Sequence, residues 1–280
     1  MLGAIQGVFA EDAVATAAKN KAGFLNNGLV CRKEEIVGEP ELDSALRLLD
    51  EGARALGLRL SARELSAFRL YLREILIYNQ KVNLTAVANP EEIAVHHFVD
   101  SLTCVHIMRG CGAEWVADVG TGAGFPGVPL KIVEPEIRLA LIDSLGKRIA
   151  FLEHLVRVLG LEGVSLHHIR AEDAGRNELH RERYDFTVAR AVAQLRVLAE
   201  LCIPLVRVGG WFLAMKGPRG YDELKDAEGA ISLLGGEVAD VKELTLPIAN
   251  ETRVLILVRK KEPTPVKYPR RAGIPEKRPL

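Results

Sequence analysis

The sequence predicts an α/β fold, a seven-stranded and mostly parallel sheet with an N-terminal helical cap. Three observations predict it. From Glu114 onward, short apolar runs alternate with segments of helical period, the pattern of strand–helix–strand units in a parallel sheet. The first of these runs breaks into a turn punctuated by Gly120, Gly122, Gly124 and Gly127. The last two runs, 236–246 and 253–258, have no helix between them, so they read as an antiparallel hairpin closing the sheet edge. A chain of 280 residues with 48% hydrophobic content holds one large α/β domain plus an appendage and fills a packed core.

The N-terminal 1–40 stretch is alanine-rich with weak periodicity and carries no motif, and is read as an extension. The cap spans 41–112. Its first helix shows an apolar stripe at Leu42, Leu46, Leu49, Ala53 and Leu56 and stops at Gly57. Ser61 and Glu64 form a capping box that opens a second helix, which runs to about Gln80. Asn89-Pro90 places an N-cap residue before a proline at the first helical position of a third helix, expected to continue to Met108. The sheet domain spans 113–258. Its strands are expected at 114–119, 138–142 (ending at Asp143), 164–169, 185–189 (ending at Arg190) and 211–215 (ending at Lys216), followed by the hairpin. Helices are expected at 126–133, 147–159, 192–205 and 221–234. The tail, 259–280, is basic and proline-rich, and an extended conformation is expected for it.

Formal net charge is zero, so a nucleic-acid partner must be met by a local patch, for which the tail is the candidate. The four cysteines, Cys31, Cys104, Cys111 and Cys202, form no C-x-x-C pair and read as reduced thiols. No Cys/His set has ligand spacing, and no metal is expected. No apolar stretch reaches the roughly 20 residues of a membrane span, and the first residues lack the basic lead of a signal peptide. A cytoplasmic protein without a membrane partner or an evident obligate protein partner is expected.

The chemistry concentrates at the glycine turn. Gly122-Ala123-Gly124-Phe125-Pro126-Gly127 fits G-x-G-x-x-G, and Asp143 stands about 20 residues further on, where a carboxylate accepts hydrogen bonds from ribose hydroxyls. A carboxylate favoured by the following helix dipole is the structural alternative for Asp143. Asp118, just before the turn, opposes a pyrophosphate but suits an ammonium. With the closing hairpin, this favours S-adenosyl-L-methionine on a Rossmann-like methyltransferase sheet over a nicotinamide cofactor. A hydride-transferring oxidoreductase and a non-catalytic RNA-binding assembly factor remain the competing readings. Ala171-Glu172, Arg190 and Lys216 all fall at C-terminal strand ends, the edge at which open α/β sheets bind ligands.

Taken together, the motifs Y-N-Q-K-V-N-L-T (78–85), H-F-V-D-S-L (97–102), D-V-G-T-G-A-G-F-P-G, Asp143-Ser144 with Lys147-Arg148, Arg170-Ala171-Glu172, Arg190-Ala191, Lys216-Gly217 and K-Y-P-R-R-A-G-I-P (267–275) resemble the RsmG (GidB) family of bacterial 16S ribosomal RNA methyltransferases. The resemblance implies methyl transfer from S-adenosyl-L-methionine to N7 of a guanine, on 16S rRNA or the small ribosomal subunit. Cofactor contacts are then expected at Gly120, Gly122, Gly124, Phe125, Asp143, Ser144, Ala171, Glu172 and Arg190, and RNA contacts at Asn83, Thr85, Arg190, Lys216, Lys267, Arg270 and Arg271. Guanine N7 carries no proton, so the reaction requires no general base and no residue is nominated as one.

Overall fold

The computed structural model describes residues 38–82, 84–190 and 193–280. The 1–40 extension, apart from its last three residues, and Asn83 lie outside the described residues.

The cap opens with α1 (Glu39–Ala55) and α2 (Ala62–Val82). The capping box forms as read: Ser61 N–H donates to Glu64 Oε2 at 2.6 Å, and Glu64 N–H donates to Ser61 Oγ at 3.3 Å. The third helix departs from the single rod expected. It starts as α3 (Pro90–Ile93) behind the Asn89 cap, widens into a π-turn over Ala94–Val99, and resumes as α4 (Asp100–Leu102). It breaks at Thr103-Cys104 before α5 (Val105–Gly110). The Thr103 hydroxyl donates back to Asp100 O at 2.6 Å, competing with the backbone ladder at the break.

The sheet domain alternates as expected: β1 (Trp115–Val119), α6 (Gly127–Val133), β2 (Arg138–Asp143), α7 (Gly146–Leu159), β3 (Val164–His168), α8 (Ala171–Ala174), β4 (Tyr184–Arg190), α9 (Leu195–Cys202), β5 (Val206–Lys216), α10 (Gly220–Leu233), β6 (Gly236–Leu246) and β7 (Glu251–Lys260). The seven strands lie in the order β3-β2-β1-β4-β5-β7-β6. Strands β1 to β5 are mutually parallel, while β7 runs antiparallel to both β5 and β6. The hairpin therefore folds back so that its second strand, not its first, joins the parallel sheet.

Both faces of the central strands are buried, which explains their near-continuous apolar sequences. Alternate residues serve two cores. Val116, Leu139, Leu141, Phe186, Val188 and Leu213 face the cap, α6 and α7. Ala117, Val119, Ala140, Ile142, Ala189 and Phe212 face α9 and α10.

The tail corrects the expectation of an extended arm. It is folded onto the second core: Tyr268 is buried, and 274–277 form a short helix, α11 (Ile274–Lys277). Among the described residues no helix is long and apolar enough to cross a membrane.

Candidate functional site

The strand order reverses between β1 and β4, which leaves a crevice at their C-terminal ends. A cavity of about 490 Å³ opens there, within the usual range of roughly 300–1,000 Å³ for a small-molecule site. Its floor is the glycine turn between β1 and α6.

Two residues brace that turn from behind, through three hydrogen bonds. Asp118 is fully buried; its Oδ2 accepts from Thr121 Oγ1 at 2.6 Å and from Gly127 N–H at 2.8 Å. Its Oδ1 has no hydrogen-bond partner, and burial pushes its carboxyl up to about 6. From the cap, the Tyr71 hydroxyl donates to Ala123 O at 2.6 Å. Asp118 does not line the cavity. It holds the turn closed, which corrects its reading as a partner for a ligand's ammonium.

Glycine is required at two turn positions for different reasons. Gly122 has φ +61°, and a Cβ there would meet nothing within 4 Å, so its backbone faces open space. Gly124 has φ +103°, and a Cβ would lie 2.6 Å from Tyr71 Oη and 2.8 Å from Val128 Cγ2. Gly124 is thus a packing glycine behind the turn and does not line the cavity, unlike Gly120, Gly122 and Phe125.

Asp143 ends β2 with 3% of its surface exposed. Its Oδ2 accepts from Gly122 N–H at 2.9 Å and from Arg148 Nη1 at 3.2 Å, and its Oδ1 accepts from Leu145 N–H at 2.9 Å. These bonds tie the two glycine-turn and strand-end features into one rigid unit and leave further lone pairs on a cavity-lining carboxylate. Ser144, Ala171 and Glu172 also line the cavity, and the Glu172 carboxylate accepts Gly273 N–H at 2.8 Å.

Arg190 ends β4 and enters the cavity beside the cap. Its Nη1 donates to His96 O at 3.2 Å, His97 O at 3.3 Å and Asp100 Oδ2 at 3.1 Å, and its Cζ sits 5.0 Å from the Phe125 ring centroid. The carbonyls of His96 and His97 belong to the π-turn, whose widened backbone is what the guanidinium reads. Asp100 also accepts from Arg253 Nε at 2.9 Å, so one buried carboxylate fixes cations from β4 and β7. His97 stacks on Phe125 at 4.6 Å. Burial, then the adjacent Arg190 charge, depresses its pKa to about 3, so the imidazole is neutral near pH 7. Its Nδ1 lies 3.1 Å from His96 O and 3.3 Å from Arg190 Nη2, and its Nε2 lies 2.9 Å from Thr85 Oγ1. Thr85, with Leu84, lines the cavity, and its N–H is held by Asn79 Oδ1 at 3.0 Å.

Other expected contacts fall elsewhere. Lys216 is 8% exposed, with Nζ 2.8 Å from Ala193 O and 2.7 Å from Glu223 Oε2; it does not line the cavity and its charge is already matched. Arg270 clasps Glu200, with Nη2 2.6 Å from Oε2 and Nε 2.9 Å from Oε1, so its guanidinium is an internal clamp. Lys267 and Arg271 are exposed on the tail. The sequence reading did not single out Tyr71, His97, Val197, Leu201, Pro275 or Glu276 as site residues. The last four line the cavity; Val197, Leu201 and Pro275 supply its apolar slot with Ile142 and Ile169, and Glu276 adds a carboxylate at its edge.

Among the described residues no group of three metal-binding side chains occurs. The donor set instead fits a nucleoside bearing a charged amino-acid chain: an acid at the β2 end, an apolar slot, exposed backbone at Gly120 and Gly122, and the cationic Arg190.

The sheet order, the glycine turn after β1 and the acidic end of β2 define a methyltransferase of the Rossmann-like class. The family described as rRNA small subunit methyltransferase G matches residues 64–253. The chain is 45% identical over 233 residues to the ribosomal RNA small subunit methyltransferase G of Alkaliphilus metalliredigens, covering 83% of this chain and 98% of that one. It is 48% identical over 224 residues to the protein of the same name from Halalkalibacterium halodurans, covering 80% and 94% of the two chains. The chain belongs to the rRNA small subunit methyltransferase G family.

Proposed function

We propose that this protein transfers the methyl group of S-adenosyl-L-methionine to N7 of a guanine in 16S ribosomal RNA, acting on that RNA or on the small ribosomal subunit in the bacterial cytoplasm. The observation that carries the reading is the cavity at the β1–β4 switch point, where Gly120, Gly122 and Asp143 converge in a chain of this family. Asp143 would take the ribose hydroxyls, Ile142, Ile169, Val197 and Leu201 the purine face, and Gly120 with Arg190 the amino-acid end. When bound, the cofactor supplies a methyl group on a sulfonium, already electrophilic.

The residues of the chain have a correspondingly limited task. Guanine N7 presents a lone pair and no proton, so no side chain needs to act as a base. This reading is supported by the polar groups at the cap side: Arg190 cannot give up its proton, and His97, its pKa pushed down to about 3 by burial and by Arg190, is a weak base. What remains is alignment and exclusion of water. Phe125 is immobilised between Tyr71, His97 and Arg190, and this fixes the wall between cofactor end and cap. Thr85 and Leu84 stand where an unstacked base would enter.

Incubation of the protein with methyl-labelled S-adenosylmethionine and either deproteinised 16S rRNA or small subunits lacking the modification tests the proposal. Label in one of the two RNA fractions is expected. Label in neither, from protein that binds the cofactor, contradicts it.

A further inference from the structure

We infer that segment 264–280 is a strap forming one wall of the cofactor cavity, and that Glu200, which does not line the cavity, is the residue that positions it. The inference rests on the cavity being the S-adenosylmethionine site.

The strap is tied down at three places. At its root, Lys260 is 1% exposed, and its Nζ donates to Ile203 O and Leu234 O at 3.1 Å each and to the Thr264 hydroxyl. Arg181 adds bonds to Thr264 O at 2.6 Å and Tyr268 O at 2.7 Å. Pro269 packs so closely on the turn after α8 that a Cβ on Gly175 would lie 2.7 Å from its Cγ. At the middle, Glu200 accepts from Arg270 through the backbone N–H at 2.7 Å and through Nε and Nη2. At the far end, Gly273 N–H binds the cavity-lining Glu172, and Pro275 and Glu276 then face the cavity themselves.

Glu200 is the unusual member. It has no exposed surface, in a helix whose other residues are almost all apolar. A carboxylate is tolerated there only when paired, and the pair it makes is the fork of Arg270. Val197 and Leu201, on the same helix, line the cavity. One helix therefore carries both the apolar slot and the anchor of the strap that faces it. Beyond Arg270 the strap keeps the Gly273–Glu172 bond and a buried Pro275, while Ile274 is 38% exposed and Glu276, Lys277 and Arg278 are exposed. Its seating is a local equilibrium, and cofactor affinity scales with the seated fraction.

The test uses the full chain with Glu200→Gln, which removes the charge but keeps an acceptor, and Gly273→Ala. The second strains a backbone position at φ +77° where a Cβ meets nothing within 4 Å, so it loosens the strap without touching the core. Titration calorimetry with S-adenosylmethionine is expected to show Kd raised about tenfold in each folded variant. In the methyl-transfer assay KM for the cofactor rises in step, KM for RNA is unchanged, and the rate recovers at saturating cofactor. Hydrogen exchange at the Arg270 and Gly273 amides of the unaltered chain slows when the cofactor is added. Wild-type Kd in both variants, or a rise in KM for RNA alone, overturns the strap's role as a cofactor wall. If the unaltered chain binds no S-adenosylmethionine, the reading of the cavity falls and the strap inference falls with it.

Discussion

Asp118→Asn tests whether the acid before the glycine turn is a structural bracket. Asp118 is fully buried, and burial raises its pKa from 3.8 to about 6. Because the folded-state value lies above the unfolded one, the folded chain binds the extra proton between those pH values. The associated stability is fully present below about pH 4 and is lost as pH rises through about 6. The gap of roughly two units corresponds to about 3 kcal/mol between the protonated and ionised forms. Asparagine is neutral throughout. Its oxygen can serve Gly127 N–H and the Thr121 hydroxyl, and its amide group replaces the Oδ1 that has no partner. The variant is therefore expected to be more stable than the natural chain at pH 8, by on the order of 2 kcal/mol, with Tm raised by about 4–8 °C for a domain of this size. Between pH 5 and pH 8 the difference should widen by about 1 kcal/mol. Scanning calorimetry of both proteins across that range measures it. A variant that is less stable at pH 8, with a difference that does not change with pH, would refute the reasoning and mean that the carboxylate charge is compensated.

Gly124→Ala should lower Tm by several degrees more than Gly122→Ala, because only the former drives a Cβ into Tyr71 and Val128 as well as straining the backbone; the reverse order in thermal melts would show that the turn is braced differently. Asp143→Ala removes the acceptor of Gly122 and Leu145 N–H and is expected to weaken S-adenosylmethionine binding about 100-fold, a loss of charge-assisted hydrogen bonds readable by calorimetry. An unchanged Kd there would leave Asp143 as a helix-terminal carboxylate only. Lys267→Ala with Arg271→Ala should flatten the dependence of log K for 16S rRNA on log salt by up to about 2 units, and an identical slope would place RNA phosphates elsewhere.

The fold was legible because its signals are local and repeated. Alternation of apolar runs with helical segments gave the parallel strands, and the missing helix before 253–258 gave the antiparallel pair. The cavity floor was legible for the same reason, since Gly120, Gly122, Phe125 and Asp143 lie in one motif or at its fixed spacing. What escaped depends on partners distant in sequence. Arg270 looks like a phosphate contact until Glu200, 70 residues away, is seen to hold it. Lys216 stands at a strand end as expected, but Glu223 on the next helix has already neutralised it. Asp118 sits beside the right turn and faces away from the cavity, an orientation fixed by Thr121 and Gly127 that sequence does not disclose. One signal was available: Glu200 is a lone acid within the apolar run 197–206, where an unpaired carboxylate is not tolerated.

The most direct test of the account is nucleoside analysis of 16S rRNA after incubation of small subunits lacking the modification with this protein and S-adenosylmethionine. The account predicts 7-methylguanosine at one guanine, formed by the unaltered protein and lost with Asp143→Ala. A methyl group at any other atom of the RNA, or 7-methylguanosine formed equally by the Asp143→Ala protein, contradicts it.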